Sequence, residues 1–126
     1  MKNLFKNVRL GSLYLLVIAT MVFSCKKDDE PVPQGNLIFY TNYDQEKFDR
    51  IDVIVDGNVL GTLSKSIPTR PECGAAGSPS VVSLNLPIGT YVVSGKRYKG
   101  NDLVGNWKAS SATVTAEDCK RIRFVD

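Results

Sequence analysis

Between Asn36 and Phe124 the apolar residues come in short alternating runs cut by turn residues, and no stretch keeps a helical period. That pattern constrains the fold more than any other feature, because strands of period two must bury one face and wet the other. Leu37 to Thr41 forms a first strand of β-branched and aromatic residues. Ile51, Val53 and Val55 alternate with Asp52 and Asp56, and Asp56-Gly57 then supplies a hairpin turn into Val59 to Leu63. Residues 64 to 80 hold three prolines, two glycines and Cys73 with little periodicity, and read as a long exposed loop. Val82, Leu84 and Leu86 make the next strand. Pro87-Ile88-Gly89 turns into Thr90 to Tyr98, Gly100-Asn101-Asp102 turns into Val104 to Thr115, and Ile122 with Phe124 marks a last strand. Six or seven short strands in one domain predict an all-β, antiparallel, two-layer β-sandwich spanning residues 36–126.

Residues 1–25 have a different organisation. Lys2, Lys6 and Arg9 form a basic start, Leu10 to Phe23 an uncharged and mostly apolar run, and small Ser24 precedes Cys25. Fourteen helical residues cover roughly 21 Å against the roughly 30 Å of a bilayer's hydrocarbon core, so the run suits a cleaved signal peptide better than a transmembrane helix. Val22-Phe23-Ser24-Cys25 resembles the lipobox of bacterial lipoproteins. The resemblance implies removal of residues 1–24 and a diacylglycerol on Cys25, which would attach the protein stably to a membrane. Lys26-Lys27-Asp28-Asp29-Glu30 is similar to the charged export signal of some Bacteroidetes lipoproteins, which implies the outer membrane and its cell-surface face. A solvated tether facing the periplasm is the alternative. Residues 25–35 are read as the lipidated cysteine and a flexible spacer.

Charge narrows the partners. The net charge of +3 belongs to Lys2, Lys6 and Arg9; taking those three from the 16 basic residues leaves 13 against 13 acidic ones. A neutral mature chain lacks the cationic field that nucleic acid requires. The absence of histidine removes the commonest general base and metal ligand. No cofactor motif appears, and the acidic residues Asp44, Glu46, Asp49, Asp52 and Asp56 lack the spacing of a calcium loop, reading as solvated turns.

With Cys25 consumed by lipid, Cys73 and Cys119 remain as the pair that would oxidise in an exported chain. Their closure predicts roughly 4 kcal/mol from loop entropy.

Val55-Asp56-Gly57, Gly61-Thr62 and Leu86-Pro87-Ile88-Gly89-Thr90-Tyr91-Val92-Val93 resemble PEGA and carboxypeptidase regulatory-like domains, which are small immunoglobulin-like or prealbumin-like sandwiches. That likeness covers roughly residues 50–98, concerns turns, and implies an accessory or spacer role without a catalytic residue. Gly57 and Gly89 are expected to supply backbone angles that side chains resist, and Tyr91 to set its ring in the core with its hydroxyl at the edge.

Candidate ligand-binding residues are Trp107, Tyr98, Lys96 and Arg97. Trp107 reads either as packing between the layers or as an exposed platform for a glycan. Lys96, Arg97, Lys99, Arg121 and Arg123 would form one basic patch if their strands were neighbours, or a charged edge that blocks strand pairing. The loop Ile67 to Cys73 could present Arg70 as bait to a protease while a disulfide holds it, but Pro71 directly after Arg70 would hinder trypsin-like cleavage and nothing else suggests an inhibitor. The expectation is a non-enzymatic, lipid-anchored envelope module that binds a protein or glycan partner. The alternatives are a structural spacer or subunit of a larger surface complex, and a motif-less hydrolase or protease inhibitor.

Overall fold

The fold is that of a computed structural model, which describes residues 30–125. Cys25 and the segment 1–24 lie outside the described residues. A compact unit begins at Val32. Among the described residues it comprises seven strands: β1 (Gln34–Thr41), β2 (Arg50–Val55), β3 (Asn58–Leu63), β4 (Val82–Pro87), β5 (Gly89–Lys99), β6 (Asp102–Val114) and β7 (Cys119–Phe124). The helical structure described is one 3-10 turn at Gln45–Lys47.

The strands form a two-sheet sandwich. A three-stranded sheet runs β4-β1-β7 and a four-stranded sheet runs β3-β2-β5-β6. Every pair is antiparallel except β1 with β7, which run parallel from Asn36 opposite Cys119 to Thr41 opposite Phe124. Short hairpins force antiparallel neighbours, and the sequence pattern reports only those; β1 and β7 come from the two ends of the domain, so no tight turn fixes their direction.

Leu37, Phe39, Ile51, Val53, Leu63 and Phe124 meet between the sheets with little or no exposure. Phe39 and Phe124 face each other with ring centroids 6.0 Å apart. Burying each such side chain contributes on the order of 1.5–3 kcal/mol, which is why the alternation is strict on β2: Ile51, Val53 and Val55 are buried while Arg50 stays exposed.

The turns follow from local chemistry. Asp56 at φ +49° and Gly57 at φ +82° join β2 to β3 as a two-residue loop with both central residues left-handed, the arrangement that matches strand twist. Gly89 also has positive φ, at +155°. The step at Pro87-Ile88-Gly89 does more than turn the chain, because it carries it from one sheet to the other. The Tyr91 hydroxyl donates to the Pro87 carbonyl at 2.7 Å across that step, while the ring is half-buried against the core.

Two sequence expectations change. The spacer ends earlier than residue 35: Gln34 and Gly35 already pair with Pro87 and Leu86, so β1 begins inside the segment read as tether. The loop 64–80 is also less exposed than its composition suggests. Ile38 and Tyr40 lie on the face of β1 away from the sandwich core, yet are 0% and 7% exposed. The loop lies over them. The Ile67 amide donates to the Thr41 carbonyl at 2.9 Å, the Ser64 and Lys65 amides both donate to the Pro79 carbonyl, and Pro71 is buried. Its own polarity hid this, since a covering loop needs only a few apolar contacts such as Ile67 and Pro71.

Candidate functional site

The candidate residues on β5 alternate faces. Tyr98 pairs with Arg50, and Lys96 with Asp52, which places both on the outer surface of the four-stranded sheet. There the Arg50 guanidinium lies 4.3 Å from the Tyr98 ring centroid and its Nε meets Asp52 at 3.0 Å. Arg97 pairs with buried Ile51 and points inward. Its guanidinium lies 4.1 Å from the Tyr43 ring centroid and 5.7 Å from that of Trp107.

Trp107 also points inward. Its ring is 4.8 Å from Phe124 and meets Tyr43 edge-on at 6.3 Å, and its indole N–H donates to the Val125 carbonyl. Trp107 therefore packs between the layers, and it shares no surface with Tyr98. A recess of about 140 Å³ beside it, lined by Arg97, Gly105, Asn106, Trp107 and Val125, is well under the roughly 300 Å³ at which small-ligand sites begin. The single basic patch does not form either, because β5 and β7 belong to different sheets.

Asp44, Asp49, Asp52 and Asp56 are occupied locally. Asp44 Oδ1 accepts from the Glu46 amide, and Asp56 Oδ1 accepts from the Val92 amide. Asp49 accepts from the Gly100 amide at 2.6 Å and from Lys99 Nζ at 3.1 Å, and these two bonds hold its carboxyl below the usual range. Among the described residues no group of three or more metal-ligating side chains converges.

Cys73 and Cys119 are disulfide-bonded, with Cα atoms 5.9 Å apart. The bond pins the covering loop to the start of β7. Asp118 prepares that strand by accepting from the Cys119 amide at 2.8 Å and from the Thr115 hydroxyl at 3.0 Å, so its carboxyl too is held below the usual range.

The pinned loop brings together residues that sequence reasoning kept apart. Arg121 and Arg123 project from one face of β7, opposite Ile38 and Tyr40 of β1. Arg70, carried on the loop three positions before Cys73, reaches the same place. With Tyr40, Asn42 and Pro68 they line an open cleft of about 350 Å³. Arg121 is partly buried; one of its terminal nitrogens donates to Cys73 Sγ at 3.1 Å, and its Nε is buried with no acceptor. Among the described residues none of the three arginines meets a carboxylate. A signal for this cleft did exist: a bond from Cys73 to Cys119 places Arg70 near a strand whose next two outward residues are arginines.

Comparison with protein-family profiles, curated proteins and solved structures finds no match for the chain.

Proposed function

We propose that the chain is a lipid-anchored module of the bacterial cell envelope, non-enzymatic, held through Cys25 at the outer membrane and facing the cell surface, with the periplasmic face as the alternative. The observation that carries this reading is the Cys73–Cys119 bond. Disulfides persist outside the cytoplasm, which agrees with the export pattern of residues 1–24 and the lipobox-like Val22 to Cys25. A binding role is supported by the arginine cleft, to which the loop that the same bond holds down contributes Pro68 and Arg70. The likeness to PEGA and carboxypeptidase regulatory-like domains supports an accessory task, and the lack of histidine argues against the commoner hydrolytic mechanisms.

A spacer or subunit of a larger complex is the second reading. It is favoured by Val59 and Val92, 56% and 50% exposed on the open outer face of the four-stranded sheet.

The test is Cys25→Ala in the native host. The variant is expected to leave the membrane fraction and to lose labelling by a palmitate analogue; labelling equal to that of the wild type would refute the anchor.

A further inference from the structure

Three arginines line one cleft and, among the described residues, none of them meets a carboxylate, an arrangement of like charges that favours entry of an anion. Arg121 is the most constrained of them. It is partly buried, and the acceptor it reaches, Cys73 Sγ, is a weak one that leaves its charge uncompensated among the described residues. Arg70 is held opposite by the disulfide three residues further on, so the ordering of the loop is already complete before a ligand arrives.

We infer that the Arg70, Arg121 and Arg123 cleft binds a phosphate ester carried on a small polar group the size of a sugar or a lipid headgroup. The number of arginines selects the anion. A phosphomonoester carries roughly −1.5 to −2 charges and three acceptor oxygens, enough to face three guanidinium forks. A carboxylate satisfies one arginine side-on and leaves the other two opposed. The volume selects the carrier: about 350 Å³ exceeds what a bare oxyanion needs and falls at the lower end of small-ligand sites. Tyr40 and Asn42 line the same space, and their side-chain polar groups make no hydrogen bond to the described residues, so they remain to meet hydroxyls of the carrier. This deepens the binding reading above, yet it rests on geometry that does not depend on the anchor.

The experiment uses the full chain in neutral detergent, titrated with inorganic phosphate at constant ionic strength, with sodium acetate as the control. Constant ionic strength matters because exposed charges are screened over about 10 Å at ordinary salt. Arginine side-chain N–H resonances report occupancy. Saturable shifts with phosphate, at least about tenfold tighter than with acetate, are expected. Removing one of three charge-assisted contacts should weaken phosphate about tenfold in Arg121→Gln and in Arg70→Gln. Arg50→Gln, on the other sheet, should bind as the wild type does. Because Arg121 touches the disulfide, Arg70→Gln on the exposed loop is the variant that separates binding from folding. Reducing the disulfide should lower affinity to the Arg70→Gln level.

Absence of saturation, equal affinity for acetate, or unaltered binding by Arg70→Gln would overturn the site. Two further arms separate the sources. Glucose 6-phosphate binding tighter than phosphate assigns a free solute. Retention of the Cys25→Ala chain on phosphatidylcholine vesicles doped with phosphatidic acid, but not on phosphatidylcholine alone, and its loss with Arg121→Gln, assigns a lipid headgroup. Phosphate binding with neither arm positive would overturn the assigned carrier. The anchor is read separately by membrane fractionation of the wild type, so the two readings fail in distinguishable ways.

Discussion

Replacing Cys73 and Cys119 together by serine should lower stability chiefly through the unfolded chain. The bond spans a sequence separation of 46, for which loop-closure entropy gives about 4 kcal/mol at 25 °C. That is a large part of the roughly 5–15 kcal/mol available to a small domain. The native loop has its own attachments, namely the Ile67 amide on the Thr41 carbonyl, the Ser64 and Lys65 amides on Pro79, and buried Pro71. Those contacts should keep the loop over Ile38 and Tyr40 in the folded variant while the exposed Arg70 side chain loses its fixed place, so little native burial is lost. With a guanidinium m-value of roughly 2–6 kcal/mol/M for a small protein, the midpoint should fall by on the order of 1 M. The double variant should also show a larger m-value, because its unfolded chain is no longer cross-linked and exposes more surface. Guanidinium unfolding followed by Trp107 fluorescence and by far-ultraviolet circular dichroism reads both quantities. An unchanged m-value with a lowered midpoint would place the effect in the native state instead, and an unchanged midpoint would remove the entropic argument altogether.

Two further outcomes are expected. A Cβ at Gly95 would stand 2.8 Å from Phe124 Cε1 and 3.0 Å from Trp107 Cε3, between two rings that already touch, so Gly95→Ala should cost about 1–3 kcal/mol and lower the melting temperature measured by near-ultraviolet circular dichroism; an unshifted melt would mean that the rings yield freely. Asp49 and Asp118 have lowered native pKa values, chiefly through their bonds to the Gly100 and Cys119 amides. Their contribution is therefore fully present above the unfolded carboxylate value near 4 and is lost as pH falls through the lower native values. Urea midpoints measured across that acid range should decline less steeply in Asp49→Asn with Asp118→Asn than in the wild type, and parallel curves would contradict the assignment.

Strand content was legible because each strand's own residues encode it. Ile51, Val53 and Val55 against Asp52, or Val82, Leu84 and Leu86 on β4, declare a buried face without reference to the rest of the chain. Turns were equally local: Asp56-Gly57 needs two left-handed residues, and that need is met within the dipeptide. The disulfide was readable by elimination among three cysteines. What the pattern could not carry was anything settled by partners distant in sequence. Gln34 and Gly35 look like spacer until Pro87 and Leu86 arrive to pair with them. The parallel pairing of β1 with β7 has no turn to announce it.

The candidate binding residues show the same limit from the other side. Lys96, Arg97 and Tyr98 are adjacent in sequence, but adjacency in a strand means opposite faces, so Arg97 joins Tyr43 and Trp107 in the interior while Lys96 and Tyr98 face outward. Residues two apart on β7, Arg121 and Arg123, do share a face, but β5 is not their neighbour. Their partner is the covering loop, because β7 lies beside β1 and the loop crosses that sheet on its way from β3 to β4. Two properties that look unrelated in the sequence therefore have one cause: Ile38 is buried on the outer face, and Arg70 lines one cleft with Arg121 and Arg123, because the loop crosses that sheet, and the Cys73–Cys119 bond fixes the part of it that carries Arg70. It follows that the redox state of this pair and the anion affinity of the cleft should change together.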